Sequence, residues 1–156
     1  VVRGLVDRGA NIQASNRRGN TPLHLALIAQ AANNDELTIG GLTLIGHLLM
    51  AQGALLYEPN AEKETVETLA QKHPTTPLGI AVLQRIEDAK RRVEAVSKVL
   101  FFRRSVRTPF AVLPPEMLVH IIELACPEAE SALSPKAIHQ ITDAADIQAR
   151  RAARPS

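Results

Sequence analysis

At 156 residues, with 46% apolar residues and a net charge of +2, the chain is long enough for one domain or two small ones and too apolar to be disordered. Aromatic residues make up only 3% and Trp is absent, so the core has to be aliphatic, as in stacked helices, and no apolar run approaches the roughly 20 residues of a membrane span. The single cysteine, Cys126, excludes a disulfide within these residues and a cysteine-based zinc knuckle, and fits a reducing, cytoplasmic setting.

In chain order, Leu5-Val6-Asp7-Arg8 reads as the last turn of a helix, and Gly9 follows where a left-handed residue ends a helix most cheaply. Residues 11–18 are polar and turn-forming, and Gly19 permits a second tight bend. Thr21 can cap the next helix by accepting from a free amide, and Pro22 suits the first helical position, where it has no donor to lose. Leu23, Leu25, Ala26 and Leu27 then open a compact apolar helix. The same punctuation returns 44 residues later: Leu5 as Leu49, Gly9-Ala10 as Gly53-Ala54, Asn16 as Asn60, Thr21 as Thr65, and Leu25-Ala26 as Leu69-Ala70. A repeat of that length is the mark of stacked supersecondary units.

The run Gly9-Ala10-Asn11-Ile12, followed by Gly19-Asn20-Thr21-Pro22-Leu23-His24-Leu25-Ala26, resembles the ankyrin repeat, whose signature includes Thr-Pro-Leu-His-x-Ala. The second copy keeps Gly53-Ala54, Asn60, Thr65 and Leu69-Ala70, with Val66-Glu67 in place of Pro-Leu. The resemblance implies an all-α fold, an ankyrin-repeat α-solenoid of helix pairs joined by β-turn or hairpin loops. In it Gly9, Gly19, Thr21, Pro22, His24, Gly53 and Thr65 are structural, and His24 is a hydrogen-bonder between loops. Binding of a target protein falls to the projecting loop tips, Asn16, Arg17 and Arg18 on the first and Glu62 and Lys63 on the second, with the arginines suited to an acidic surface. A standard ankyrin repeat has about 33 residues, so this spacing implies an insertion of about eleven. It is read as a lengthened connection between two helices over residues 31–42, where Asn33-Asn34-Asp35-Glu36 and Gly40-Gly41 fall. Starting at Val1, the chain enters inside the second helix of an earlier repeat, and the expectation is the C-terminal end of a longer array.

After Pro74 a helical pattern runs from about Pro77 to Leu100, with Val82, Ile86, Ala89, Val93, Val96 and Leu100 on one face. Arg85, Glu87, Asp88, Arg91, Arg92 and Lys98 lie away from that face, as suits a helix capping the array. Thr76-Pro77-Leu78-Gly79-Ile80-Ala81 also resembles the start of a further repeat, but no Gly-Ala turn precedes it at a workable distance. The repeat region is thus placed at residues 1–104 and a helical tail at 105–156.

Pro109 and Pro114-Pro115 mark the break into that tail. Pro115 opens a helix, Glu116 complements its dipole, and Pro127 ends it. Leu118, Ile121, Ile122 and Ala125 form an apolar stripe, widened by Met117 and Leu124. This pattern of Leu113, Pro114, Glu116, Leu118, Ile121 and Ile122 resembles the opening of an F-box, in particular the F-box-like PRANC segment that follows ankyrin repeats in some viral and bacterial proteins. The resemblance implies that the helix docks on the Skp-type adaptor of a cullin–RING ubiquitin ligase through Leu113, Pro114, Glu116, Met117, Leu118, Ile121 and Ile122, while the repeats choose the target. Residues 127–156 lack the aromatic residues of a full F-box, which implies a shortened one. The SOCS box is a related possibility, sharing Arg103-Arg104 ahead of Leu113-Pro114-Pro115 but not the upstream Leu-Cys pair.

Catalytic chemistry has no constellation to rest on. His47, His73, His120 and His139 show no metal-ligand spacing, Cys126 has no Cys-His motif around it, and Gly40-Gly41 lacks the lysine and strand of a phosphate loop. Arg103, Arg104 and Arg107 without interleaved aromatics read as a solvated turn rather than a nucleic-acid contact. The expectation is a monomeric, non-catalytic adaptor with protein partners and with neither cofactor nor metal. The alternative is a plain ankyrin scaffold whose last helices only cap the stack.

Overall fold

A computed structural model describes residues 2–105 and 114–152, and the side chains of these apart from 101–105, 115 and 118. The described residues are all-helical: α1 Val2–Asp7, α2 Pro22–Ala32, α3 Glu36–Ala51, α4 Val66–Lys72, α5 Pro77–Ser105, α6 Pro115–Ala125, α7 Pro127–Ala132 and α8 Pro135–Ala152. They form two compact units, Val1–Arg85 and Ile86–Ser156, with the division inside α5.

The first unit is built from one local plan used twice. Gly9 and Gly53 end α1 and α3 at φ of 83° and 85°. The closing hydrogen bonds match: Gly9 N–H to Val6 O at 2.9 Å and Ala10 N–H to Leu5 O at 3.0 Å, then Gly53 N–H to Met50 O at 3.1 Å and Ala54 N–H to Leu49 O at 3.0 Å. Such paired bonds satisfy the carbonyls that a helix end leaves free. Each loop then turns on an asparagine. The Asn16 carboxamide oxygen accepts from the N–H groups of Arg18 and Asn20, and that of Asn60 from those of Glu62 and Glu64, all at 2.9 to 3.0 Å.

The two copies are bolted together through these loops. Ala61 N–H donates to Arg18 O at 2.9 Å, and the buried Asn60 amide donates to Asn20 Oδ1 at 2.8 Å. A Cβ on Gly19 would stand 3.0 Å from Ala61 N, so the close approach of the loops requires glycine there, as does its φ of 72°. Beneath the loops, Leu23, Leu27, Leu49, Leu56, Val66, Leu69, Ala70, Leu78 and Val82 form a fully aliphatic core.

One expectation is corrected here. The inserted residues do not lengthen the connection between α2 and α3, which is only Asn33-Asn34-Asp35; they extend α3 instead. Asp35 caps that helix, its carboxylate accepting from Thr38 N–H at 3.0 Å and from the Thr38 hydroxyl at 2.5 Å. These bonds hold the Asp35 carboxyl below its ordinary value. Gly40 and Gly41 each cost a helix about 1 kcal/mol relative to alanine. Half-buried Ile39 and Leu42 on the inner side offset that cost.

The 44-residue spacing carries α3 onto residues 80–95, which fall within α5, the helix expected over 77–100. Thr76 Oγ1 caps it, accepting from Gly79 N–H at 3.2 Å.

The second unit packs the rest of α5 with α6, α7 and α8. Its buried apolar residues are Ile86, Ala89, Val93, Ile122, Cys126, Ala129, Ala132, Leu133, Ile138 and Ala145, none of them aromatic. Arg92 on α5 reaches Glu128 on α7 at 2.5 Å, an exposed pair worth at most about 1 kcal/mol.

Candidate functional site

In the first unit, the loop geometry thrusts Arg17 and Arg18 outward from one loop and Glu62 and Lys63 from the next, all exposed. The repeat makes Gly19 and Lys63 equivalent, and Lys63 adopts the same left-handed backbone at φ 61°. Asn60 O accepts from Lys63 N–H at 3.0 Å, as Asn16 O does from Gly19 N–H at 2.9 Å. A side chain in that conformation is strained, so Lys63→Gly is expected to raise stability by on the order of 1 kcal/mol in urea denaturation. Asn16 is also exposed, and its carboxamide oxygen shapes the tip by accepting from its own loop.

His24 lies wholly buried beneath these tips. Its Nδ1 accepts from Thr21 N–H at 3.3 Å and meets the Thr21 hydroxyl at 2.8 Å, which leaves Nε2 as the protonated nitrogen, donating to Glu64 O at 3.2 Å. The cap at Thr21 therefore closes on an imidazole; in the second copy Thr65 Oγ1 accepts from Thr68 N–H at 3.1 Å. His24 thus ties the start of α2 to the second loop.

Burial holds the His24 imidazole below its ordinary value of 6.5, outweighing the Glu64 and Glu58 carbonyls that favour its protonation. The unfolded chain then binds a proton that the folded chain refuses. Stability is full above pH 6.5 and falls as the pH drops below it. Urea midpoints of the first unit are expected to decline from pH 7.5 to pH 5, and His24→Gln, though less stable at pH 7.5, should flatten that decline. Glu64, paired with Lys72, has its carboxyl held below the ordinary value of 4.5 and titrates under this window.

In the second unit, α6 begins as its prolines dictate, with Pro114 at the cap, Pro115 first in the helix and Glu116 in the first turn. Its faces are divided differently from the expected stripe. Ile122 is 0% exposed and Cys126, one helical turn further on, is buried as well, so Ile122 packs inward and is withdrawn as a docking residue. Met117 at 51% and Leu124 at 69% exposure stand outward, with half-buried Ile121 between them in the helical register and Pro114 and Glu116 exposed at the start. His120 and Glu123, 3.7 Å apart, form a weak polar pair beside this row. Leu113, the side chain of Leu118, those of Arg103 and Arg104, and Arg107 lie outside the described residues. Leu124, more exposed than Met117, was not singled out as a docking residue from the sequence.

Burial raises the Cys126 thiol above its ordinary value, which makes it a poor nucleophile. Among the described residues no three His, Cys, Asp or Glu side chains converge to hold a metal ion, and no helix is long and apolar enough to cross a membrane. Compared with known proteins, the chain matches no family model, no curated protein and no solved structure.

Proposed function

We propose that the chain is a non-catalytic adaptor: ankyrin-type repeats in the first unit hold a target protein, and α6 recruits the Skp-type adaptor of a cullin–RING ubiquitin ligase as a shortened F-box-like helix. The observation that carries this reading is the outward row Met117–Ile121–Leu124 on a proline-started helix. Apolar side chains at such spacing and exposure are what a helix offers to a groove in a partner. The anchors of the proposal are therefore Met117, Ile121 and Leu124, with Pro114 and Glu116 at the entry.

The ankyrin part of the reading is supported by the twofold loop plan and by the role of His24 between loops. On the tips, Arg17 and Arg18 supply two positive charges to an acidic target surface, with Lys63 a third and Glu62 the single acid. The competing reading, a scaffold whose last helices only close the stack, draws on the complete burial of Ile122.

The two readings separate in a co-purification experiment. Tagged chain incubated with cytosolic extract is expected to retain Skp-type adaptor and cullin together, and Leu124→Asp to lose both while keeping whatever the repeats bind. Equal recovery by wild type and variant, or no cullin with either, rejects recruitment by α6.

A further inference from the structure

The first unit holds one loop-and-helix plan twice, and only the second copy is covered. Leu5 on α1 is 53% exposed and Leu25 on α2 44%, whereas their equivalents 44 residues on, Leu49 and Leu69, are 2% and 4% exposed. Ala10 is open and Val6 and Ile12 are half-buried, where Ala54, Met50 and Leu56 are buried. What covers the second copy is the first: α2 packs on α4, and the first loop lies against the second. The apolar row on the first copy is therefore the same face left open, and such a face marks an interface.

The polar groups repeat the comparison. Across the joint between the copies, Ala61 N–H donates to Arg18 O, the Asn60 amide to Asn20 Oδ1, and His24 Nε2 to Glu64 O. The first-copy equivalents of Ala61 N–H, the Asn60 amide and Glu64 O are Arg17 N–H, the Asn16 amide and Asn20 O. Among the described residues neither Arg17 N–H nor the Asn16 amide has an acceptor, and Asn20 O accepts from Asn16 N–H alone. In three places the first loop is thus set to receive a loop like itself. That loop carries an asparagine in the position of Asn20, a histidine in the position of His24, and a free carbonyl in the position of Arg18.

No other part of the repeat offers that set. The second copy has Glu64 for Asn20 and Thr68 for His24, and the first copy of another molecule is already joined to its own second copy. The helix that bears Leu5 points the same way. Helix α1, Val2–Asp7, corresponds to residues 46–51, the last turns of α3, so a preceding unit enters it as α2 leads into α3.

We propose that the open face of the first copy, Leu5, Ala10 and Leu25 with the Asn16 amide, Arg17 N–H and Asn20 O, seats a further copy of the helix–loop unit. That copy is supplied by the protein's own chain ahead of Val1 and bears the asparagine and histidine just described. The inference rests on the repeat half of the reading above and deepens it, because the added loop tip stands beside Arg17 and Arg18 and widens the target surface.

The test is a tandem chain in which residues 1–44 are repeated ahead of Val1, which keeps the register and lets the added residues 36–44 run straight into α1. The tandem should gain helix, and its original Arg17 N–H should exchange with deuterium as slowly as Ala61 N–H, whereas Arg17 in the present chain exchanges fast. Leu25→Asp in the original copy should lower the urea midpoint of the tandem and leave that of the present chain unchanged. Fast exchange at Arg17 in both chains, equal tolerance of Leu25→Asp, or added residues that gain no helix overturns the proposal and leaves the face to a different protein. Adaptor binding through α6 and target binding through the Arg17 and Arg18 side chains are measured apart from these outcomes, so failure of either leaves this test intact.

Discussion

Replacing Gln30 with alanine is expected to cost the first unit on the order of 3 kcal/mol, read as a lowered midpoint in urea denaturation. The buried Gln30 side chain joins three helices. Its amide donates to Ile39 O at 3.0 Å and to the Thr43 hydroxyl at 2.8 Å, and its carbonyl accepts from Leu78 N–H at 2.8 Å. That last amide lies in the first turn of α5, where the helix supplies no partner of its own. Truncation leaves it buried and unpaired and opens a cavity in addition. Gln30→Met fills the space without restoring the bonds and should recover only part of the loss, which separates packing from hydrogen bonding.

The second large effect divides the faces of α6. Ile122→Asp places a carboxylate in the apolar core of the second unit, at an expected cost of at least ~3 kcal/mol. Leu124→Asp, two residues further on, should change stability by no more than about 0.5 kcal/mol because that side chain faces solvent. Circular-dichroism melts of the two variants give the comparison directly. Similar losses for both would mean that Leu124 also packs inward, and the outward row would not exist.

These contrasts show where the sequence was legible. The glycines at 9, 19 and 53, the asparagines at 16 and 60 and the threonines at 21 and 65 act through their own backbone and nearest neighbours, so their chemistry could be read one residue at a time. The proline starts of α2, α5 and α6 were legible for the same reason. Gly40-Gly41 misled because a glycine pair reads locally as a bend. The pair stays helical because the Asp35 cap and the inner apolar row outweigh its propensity, and that row acts through contacts with other helices.

The facing of α6 was illegible for another reason. Met117, Leu118, Val119, Ile121, Ile122, Leu124 and Ala125 make seven of its eleven residues apolar, so several stripes can be drawn and only packing selects one. Gln30 gave no signal at all. A polar residue in an apolar helix points to nothing until its partners, up to 48 residues away, are in place.

The central claim is that the outer row of α6 docks on a ligase adaptor, and calorimetric titration of purified Skp-type adaptor into the purified chain tests it most directly. Wild type should bind. Met117→Ala and Leu124→Ala should each weaken binding by about 2 kcal/mol, as buried anchors of a helix-in-groove contact do. Arg17→Glu/Arg18→Glu in the first unit should leave that binding unchanged. No heat of binding with the wild-type chain, or equal affinities for wild type and a Met117→Asp/Leu124→Asp double variant, would contradict the account.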